Sequence, residues 1–581
     1  MAQSPSQWIH VAAFSELPTG EAKAIRLEEG RSIALFNVDG RIYATDNQCP
    51  HMGYPLTRGA VRNGILTCDW HGRSFDLEGG GCFNYECDDL QTFPVDVRQG
   101  EIWIQVGDAQ YKRRDEHLRL LWEGLLSKDR WTISKAIALL LKGSVPEEEI
   151  VEMVLRHLGR HIASSDDGEG GGAVSRLING LKVGQRYQDA DRLMVLATAA
   201  SSVAGGAAER LEVVSLPEPV AWNDIDRWTR MFSHDGQSGR IERCLFTAYH
   251  LNHKDKILPL LYDCAVEPHF LGFPDNLLSL GYLAEVIESL GWEQSAELVF
   301  NLGAKLLGRR RGEPERFRRD AVGLMTSMVP VIEASSPARN SALEYDEDAF
   351  VSALLSVNIQ KAFDALSTAL QVGVKLDRLI TTLVLIAADR MARTPVNVDA
   401  GWGALTMELN LAASLRTAER HGSYHVAAKG LFHAAWMLFT DRWLNIPVRP
   451  LTAPLGGGTL EVSDEDAGVR LILNSIASLN VQDVGRQVLE YLNAGYSGNR
   501  LLHEMGRVML WDDTNTRILP TLRTVFEEWE RGSAGHPARY QLLVGLARYA
   551  TDIRTNKDSG SATNTAMRFA EGKTTVEVFD E

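Results

Sequence analysis

Two short stretches hold the residue types with the most chemistry: Cys49-Pro-His51-Met-Gly53 and, with sixteen residues between His51 and Cys68, Cys68-Asp-Trp-His71-Gly72. Each supplies one thiol and one imidazole, the donors that zinc and iron sites are built from. Four such donors could close a tetrahedral zinc site. Zinc fingers, however, usually group Cys with Cys and His with His, whereas here each loop mixes them. The chain has six cysteines, and four of them lie between Cys49 and Cys87. In a reducing compartment such a group reads as metal ligands or buried thiols before it reads as disulfides. Cys82 and Cys87 fall outside the spacing and read as small residues of a closing loop.

The elements around these loops have the period of β-structure. Residues 8–107 contain alternating runs, Trp8-Ile-His-Val-Ala, Arg31-Ser-Ile-Ala-Leu-Phe-Asn-Val, Arg41-Ile-Tyr-Ala-Thr and Glu101-Ile-Trp-Ile-Gln-Val, with turn pairs Asp39-Gly40 and Gln99-Gly100 between them. At about Asp115 the period changes from 2 to 3.6 and stays there, as in Leu118-Arg-Leu-Leu-Trp, Asn276-Leu-Leu-Ser-Leu and Gln541-Leu-Leu-Val-Gly-Leu. Glycine-rich or proline-containing breaks at Ser164–Gly172, Thr452–Gly458 and Gly532–Pro537 read as interhelical loops. The expected architecture is therefore multidomain: a small all-β domain over 1–110, a large all-α array of stacked helices over 111–558, and a small, polar tail over 559–581.

The mixed Cys-His pattern, with a glycine after each pair, resembles the Rieske [2Fe-2S] domain. The flanks agree: Gly80-Gly-Cys-Phe and Phe93-Pro-Val-Asp-Val look like the glycine turn and closing strand of its ferredoxin-type branch. The resemblance implies a [2Fe-2S] cluster with Cys49 and Cys68 on one iron and His51 and His71 on the other. It also implies that the inter-loop disulfide of the high-potential branch is missing, because Tyr54 and Trp70 stand at its positions. Arg73 and Phe75 replace that branch's serine and tyrosine hydroxyls. Fewer hydrogen bonds to the cluster lower its potential, so a value near the low end of the Rieske span, about −150 mV, is expected. Histidine ligands would couple proton and electron affinity. No glycine-rich dinucleotide fingerprint follows a strand, so the expected electron donor is another protein, a reductase or ferredoxin.

In the helical region the Asp/Glu-x2-His-x4-5-His signature of ring-hydroxylating Rieske oxygenases is absent from the sequence. Two weaker groupings stand in its place. Asp263, Glu267 and His269 could ligate a second iron near a helix end. The strip His421, His425, Lys429 and His433, recurring every four positions, would line one face of a single helix and could form a catalytic pocket, or could be a polar outer face. His157 with His161, and His250 with His253, read as solvated, core-edge or capping residues. Gly239-Arg-Ile-Glu-Arg-Cys-Leu-Phe-Thr-Ala, Glu267-Pro-His269-Phe-Leu and His425–His433 loosely resemble the questin-oxidase-like family, with Pro268-His269 and Pro274-Asp-Asn276 departing from its expected metal motif. The basic cluster Arg309–Arg319 reads as a solvated loop or as a docking site for an acidic redox partner.

The whole-chain numbers bound the rest. A net charge of −16 over 581 residues argues against general nucleic-acid binding. No apolar run is long enough for a membrane span and no secretory signal opens the sequence, so a cytoplasmic location is expected. The leading expectation is a Rieske-dependent oxidoreductase that passes single electrons from a reductase to a small organic substrate or second centre among the helices. Its rival is a non-catalytic electron carrier or redox sensor whose helices bind a partner protein; either is compatible with oligomerisation.

Overall fold

The structure is a computed structural model, and it describes residues 7–27, 31–84, 87–106, 110–161, 170–205, 213–308, 316–336, 346–394, 401–442, 450–451, 453, 456–511, 518–531, 535–554 and 560–572. Two compact units account for the chain: Met1–Met153 together with Ser559–Glu581, and Val154–Asp558.

The first unit begins with ten strands: β1 (Gln7–Ala13), β2 (Ala22–Arg26), β3 (Ser32–Val38), β4 (Arg41–Asp46), β5 (Ala60–Arg62), β6 (Ile65–Thr67), β7 (Ser74–Asp76), β8 (Thr92–Phe93), β9 (Val95–Arg98) and β10 (Glu101–Val106). They form three antiparallel sheets, ordered β1-β10-β9, β2-β3-β4-β8 and β5-β6-β7. Three hairpins close through two-residue turns with both φ values positive: Asp39-Gly40, Asn63-Gly64 and Gln99-Gly100. This is the turn geometry whose twist matches that of paired strands. The run Ser32–Val38 is nearly all apolar because β3 is covered on both faces. Ile33 and Leu35 enter a core with Leu17, Ile42, Ala44, Phe93, Ile102 and Ile104. Ala34 and Phe36 point the other way, into a second core with Cys49, Leu56, Leu66, Cys68, Phe75, Leu77 and Leu90. Alternation along one strand thus ties the core around the two Cys-His loops to the core of the other two sheets.

The period change near Asp115 marks where strands end, yet the compact unit runs on. Helices α1 (Gln110–Ser127) and α2 (Arg130–Lys142) belong to it, and so does a C-terminal helix, Gly560–Ala570. That helix replaces part of the expected polar tail. Thr563 and Ala566 are fully buried and Ala570 nearly so, a stripe of small residues at helical spacing that mean hydropathy does not register. Residues 573–581 of the expected tail lie outside the described residues.

The second unit is helical throughout its described regular elements, from the end of helix Glu147–His161 to Tyr540–Ile553. Its longest element, Pro274–Leu307, bends at Gly291, whose φ of 75° is non-helical. The expected single helix carrying His421 to His433 is in fact two. Trp402–His421 ends at Gly422, and Tyr424–Thr440 restarts from Ser423, whose side chain accepts from the Val426 N–H as an N-cap. Among the described residues no helix is long and apolar enough to cross a membrane.

Candidate metal centre

The two Cys-His loops are built alike. In the first, the Cys49 N–H donates to the Tyr54 carbonyl at 2.8 Å and the Gly53 N–H returns to the Cys49 carbonyl at 2.7 Å. In the second, Cys68 N–H donates to Arg73 O at 2.8 Å and Gly72 N–H to Cys68 O at 3.0 Å. Both closures need a left-handed residue, which Gly53 (φ 77°) and Gly72 (φ 66°) supply without a Cβ clash. The second core buries both cysteines, each 1% exposed, whereas His51 is half-buried and His71 exposed.

The donors sort by type. The Cys49 and Cys68 thiols hydrogen-bond to each other, and Cys87 hydrogen-bonds to Cys49. The hydrogen bond from Cys68 favours the Cys49 thiolate, but Cys87 and burial outweigh it and push that thiol up to about 11. The His51 and His71 rings meet edge to face, with centroids 4.8 Å apart at 90°. Among the described residues no three His, Cys, Asp or Glu side chains gather about a single ion. The arrangement is a thiol pair beside an imidazole pair, which fits a two-iron group with unlike ligation at its irons better than one tetrahedral zinc. The Tyr54 and Trp70 rings lie 5.7 Å apart, and Trp70 packs 4.2 Å from His71 while staying 42% exposed. Phe75 is fully buried beneath the site, offering no hydroxyl.

A closing loop covers the other side. Gly80 has φ +81°, and a Cβ there would lie 1.9 Å from the Leu90 carbonyl. This close approach lets the Leu90 N–H donate to Gly80 O at 2.7 Å and brings the chain back past Cys82 and Cys87. Two contacts come from a part of the chain that the sequence did not point to. On α2, the Trp131 indole N–H donates to the His51 carbonyl at 3.1 Å, and Lys135 Nζ donates to the Pro50 carbonyl at 2.6 Å. The only sequence signal was a lysine inside the apolar run Ile133–Leu141, a pattern that snorkelling side chains also produce.

The other candidates are not brought together. Asp263 pairs with Arg230 at 3.3 Å, Glu267 precedes the short turn Pro268–Phe270, and the His269 ring packs on Phe270 and His234 at 4.7 and 5.3 Å. The strip also disperses. Arg420 Nε–H donates to His421 Nε2 at 2.9 Å, and burial is the main influence lowering the pKa of that histidine. His425 Nε2–H donates to Ser335 O at 3.1 Å, Lys429 lies 3.7 Å from Glu333, and His433, 2% exposed, donates to Val266 O at 3.2 Å. His425 and Lys429 thus both meet the end of the helix Arg316–Ala334, whereas His421 is held by its own neighbour Arg420 and His433 by the carbonyl of Val266, so the four do not converge on one another. His157 is a fully buried core residue, its Nε2–H on Gly205 O at 3.1 Å. Arg309–Arg311 of the basic cluster lie outside the described residues.

Residues 7–94 match the family model of the Rieske [2Fe-2S] domain. The 3-phenylpropionate/cinnamic acid dioxygenase ferredoxin subunit of Escherichia coli (strain K12) is 34% identical over 104 residues, 18% of this chain and 96% of the relative. The ferredoxin component of the naphthalene 1,2-dioxygenase/salicylate 5-hydroxylase systems of Ralstonia sp is 29% identical over 100 residues, covering 17% and 95%. Among solved structures, the Sphingomonas yanoikuyae B1 ferredoxin is 30% identical over 18% of this chain and 99% of that one, with a TM-score of 0.16. With this identity over nearly the full length of a ferredoxin subunit, the chain belongs, through its N-terminal β-domain, to the Rieske [2Fe-2S] domain family.

Proposed function

We propose that this protein is a one-electron transfer protein of the Rieske ferredoxin type, with Cys49, Cys68, His51 and His71 holding the [2Fe-2S] cluster. The observation that carries the reading is the division of the four donors into a buried thiol pair and an outward imidazole pair on two matching loops. When bound, the cluster supplies a one-electron couple that a protein reductase can fill and an acceptor can empty. The chain's own part is to fix that couple in place and keep one edge accessible. The Cys49 and Cys68 side keeps water out, through Leu56, Leu66 and Phe75. His71 and the exposed Trp70 form the rim at which an acceptor protein would dock. Phe75 and the Tyr54–Trp70 pair leave no hydroxyl from Phe75 and no disulfide to raise the potential, so the low-potential end of the Rieske span is the expected range. The dioxygenase ferredoxin subunits among the relatives support a carrier role.

Anaerobic purification with iron and acid-labile sulfide analysis, and an EPR spectrum of the reduced form, tests the assignment. The expected result is about two irons and two sulfides per chain with a Rieske-type signal. Loss or conversion of that signal in His71→Cys supports the ligand set, and an unchanged spectrum overturns it. Iron clearly above two without added sulfide would instead favour a terminal oxidoreductase with a second centre among the helices.

A further inference from the structure

Residues beyond the family match close over the first Cys-His loop. Asp129 caps α2 by accepting from the Trp131 and Thr132 N–H groups, which fixes the first turn of the helix. From that turn the Trp131 indole reaches the His51 carbonyl at 3.1 Å. One turn later Lys135 Nζ donates to the Pro50 carbonyl at 2.6 Å and to the Asp88 carboxylate at 2.7 Å. Two successive carbonyls of the loop between Cys49 and Gly53 are therefore held by one face of one helix.

The electrostatics of this contact are asymmetric. The Lys135 side chain is 7% exposed and that of Asp88 44%. The ammonium also lies 4.9 Å from the centre of the Phe569 ring, on the C-terminal helix. Burying a cation is costly unless its donors are satisfied, and here a carbonyl, a carboxylate and a ring face satisfy it. The cation is the inner member of the pair, against the ligand loop, and the anion is the outer member, toward water. Solvent screens the outer charge more than the inner one.

We propose that α2 is a built-in clamp on the cluster loop and that Lys135 is a positioning residue that raises the site's reduction potential. This rests on the reading that Cys49, His51, Cys68 and His71 hold the cluster. Reduction adds one negative charge to the site. A fixed, desolvated cation hydrogen-bonded between two ligand positions stabilises that added charge more than the screened Asp88 opposes it. Each member of the pair then has its own sign: removing the lysine lowers the midpoint, and neutralising the aspartate raises it. A clamp that only held the loop in shape would not give opposite signs.

The test is an EPR-monitored redox titration of the full-length protein and three variants, alongside iron and sulfide content. Lys135→Met is expected to shift the one-electron equilibrium at least threefold toward the oxidised form, about 30 mV downward at 59 mV per tenfold change. Lys135→Arg, which keeps the charge, should recover at least half of that shift. Asp88→Asn keeps an acceptor for the ammonium and should move the midpoint upward. A wild-type midpoint in Lys135→Met overturns the proposal, and so does an Asp88→Asn midpoint at or below wild type. If Lys135→Met fails to retain iron, Asp88→Asn alone decides. A wild-type protein without a Rieske signal would instead refute the ligand reading, so the two failures are distinguishable.

Discussion

His433→Gln separates a core histidine from a catalytic one. The side chain is 2% exposed, its Nε2–H donates to Val266 O at 3.2 Å, and burial pushes its pKa down to about 4. Unfolded, the same imidazole titrates near 6.5. Between those values the unfolded chain binds the proton and the folded one does not, so stability from this group is fully present above about pH 6.5 and falls as pH falls toward 4. The full linkage is about 3 kcal/mol, and the part lost between pH 8 and pH 5 is about 2 kcal/mol. Glutamine can still donate to Val266 O but does not titrate. Urea denaturation at pH 8 and pH 5 should therefore show wild type losing about 2 kcal/mol more than His433→Gln over the same interval. Taking the difference between the two proteins cancels the titration of every other group. Equal losses in both would show that the imidazole titrates alike folded and unfolded, and would refute the reasoning.

The helical unit has a second buried device to test. Arg390 and Glu408, with side chains 5% and 1% exposed, pair at 2.6 Å, and Arg390 also donates to Leu438 O at 2.9 Å. Burial pushes the Glu408 carboxyl up to about 8 against the pull of Arg390. Arg390→Met removes its cationic partner in this pair and should cost about 3–5 kcal/mol in urea denaturation, whereas Arg390→Met with Glu408→Leu should recover part of it; equal losses in the single and double variants would contradict this. In the β-domain, Gly80→Ala combines a left-handed φ with a Cβ set 1.9 Å from Leu90 O, so it should cost more than about 1 kcal/mol and lower both Tm and bound iron. A variant with wild-type Tm would show that the closing loop relaxes at no cost.

What the sequence made legible was local. The two Cys-His loops could be read because each is a short turn closed on its own backbone, with a glycine at the one position that needs positive φ. The strands over Arg31–Val38 and Glu101–Val106 were equally plain, since period and turn pairs lie within a few residues of each other. Asn63-Gly64, a turn of the same kind as Asp39-Gly40, carried an equally readable signal. Where a reading depended on contacts between distant segments, spacing was a poor guide. The four-residue recurrence from His421 to His433 suggested one polar face, but Gly422-Ser423 contains a helix stop and a cap, and Ser335, Glu333 and Val266 take the side chains one by one.

The same limit explains why the α2 clamp left so faint a trace. Trp131 and Lys135 meet the loop across 80 and 85 residues of sequence, and the C-terminal helix that covers the lysine is hundreds of residues further on. A lysine in an apolar helical run reads as a side chain reaching for water. Here it reaches a backbone carbonyl between Cys49 and His51, because Asp88 lies outside it and Phe569 beside it. The β-domain resembles a ferredoxin subunit of about its own length. If Cys49 and His51 hold the proposed cluster, the helices of the same compact unit add charge and rigidity at a loop where a small change in field would alter how readily an electron stays.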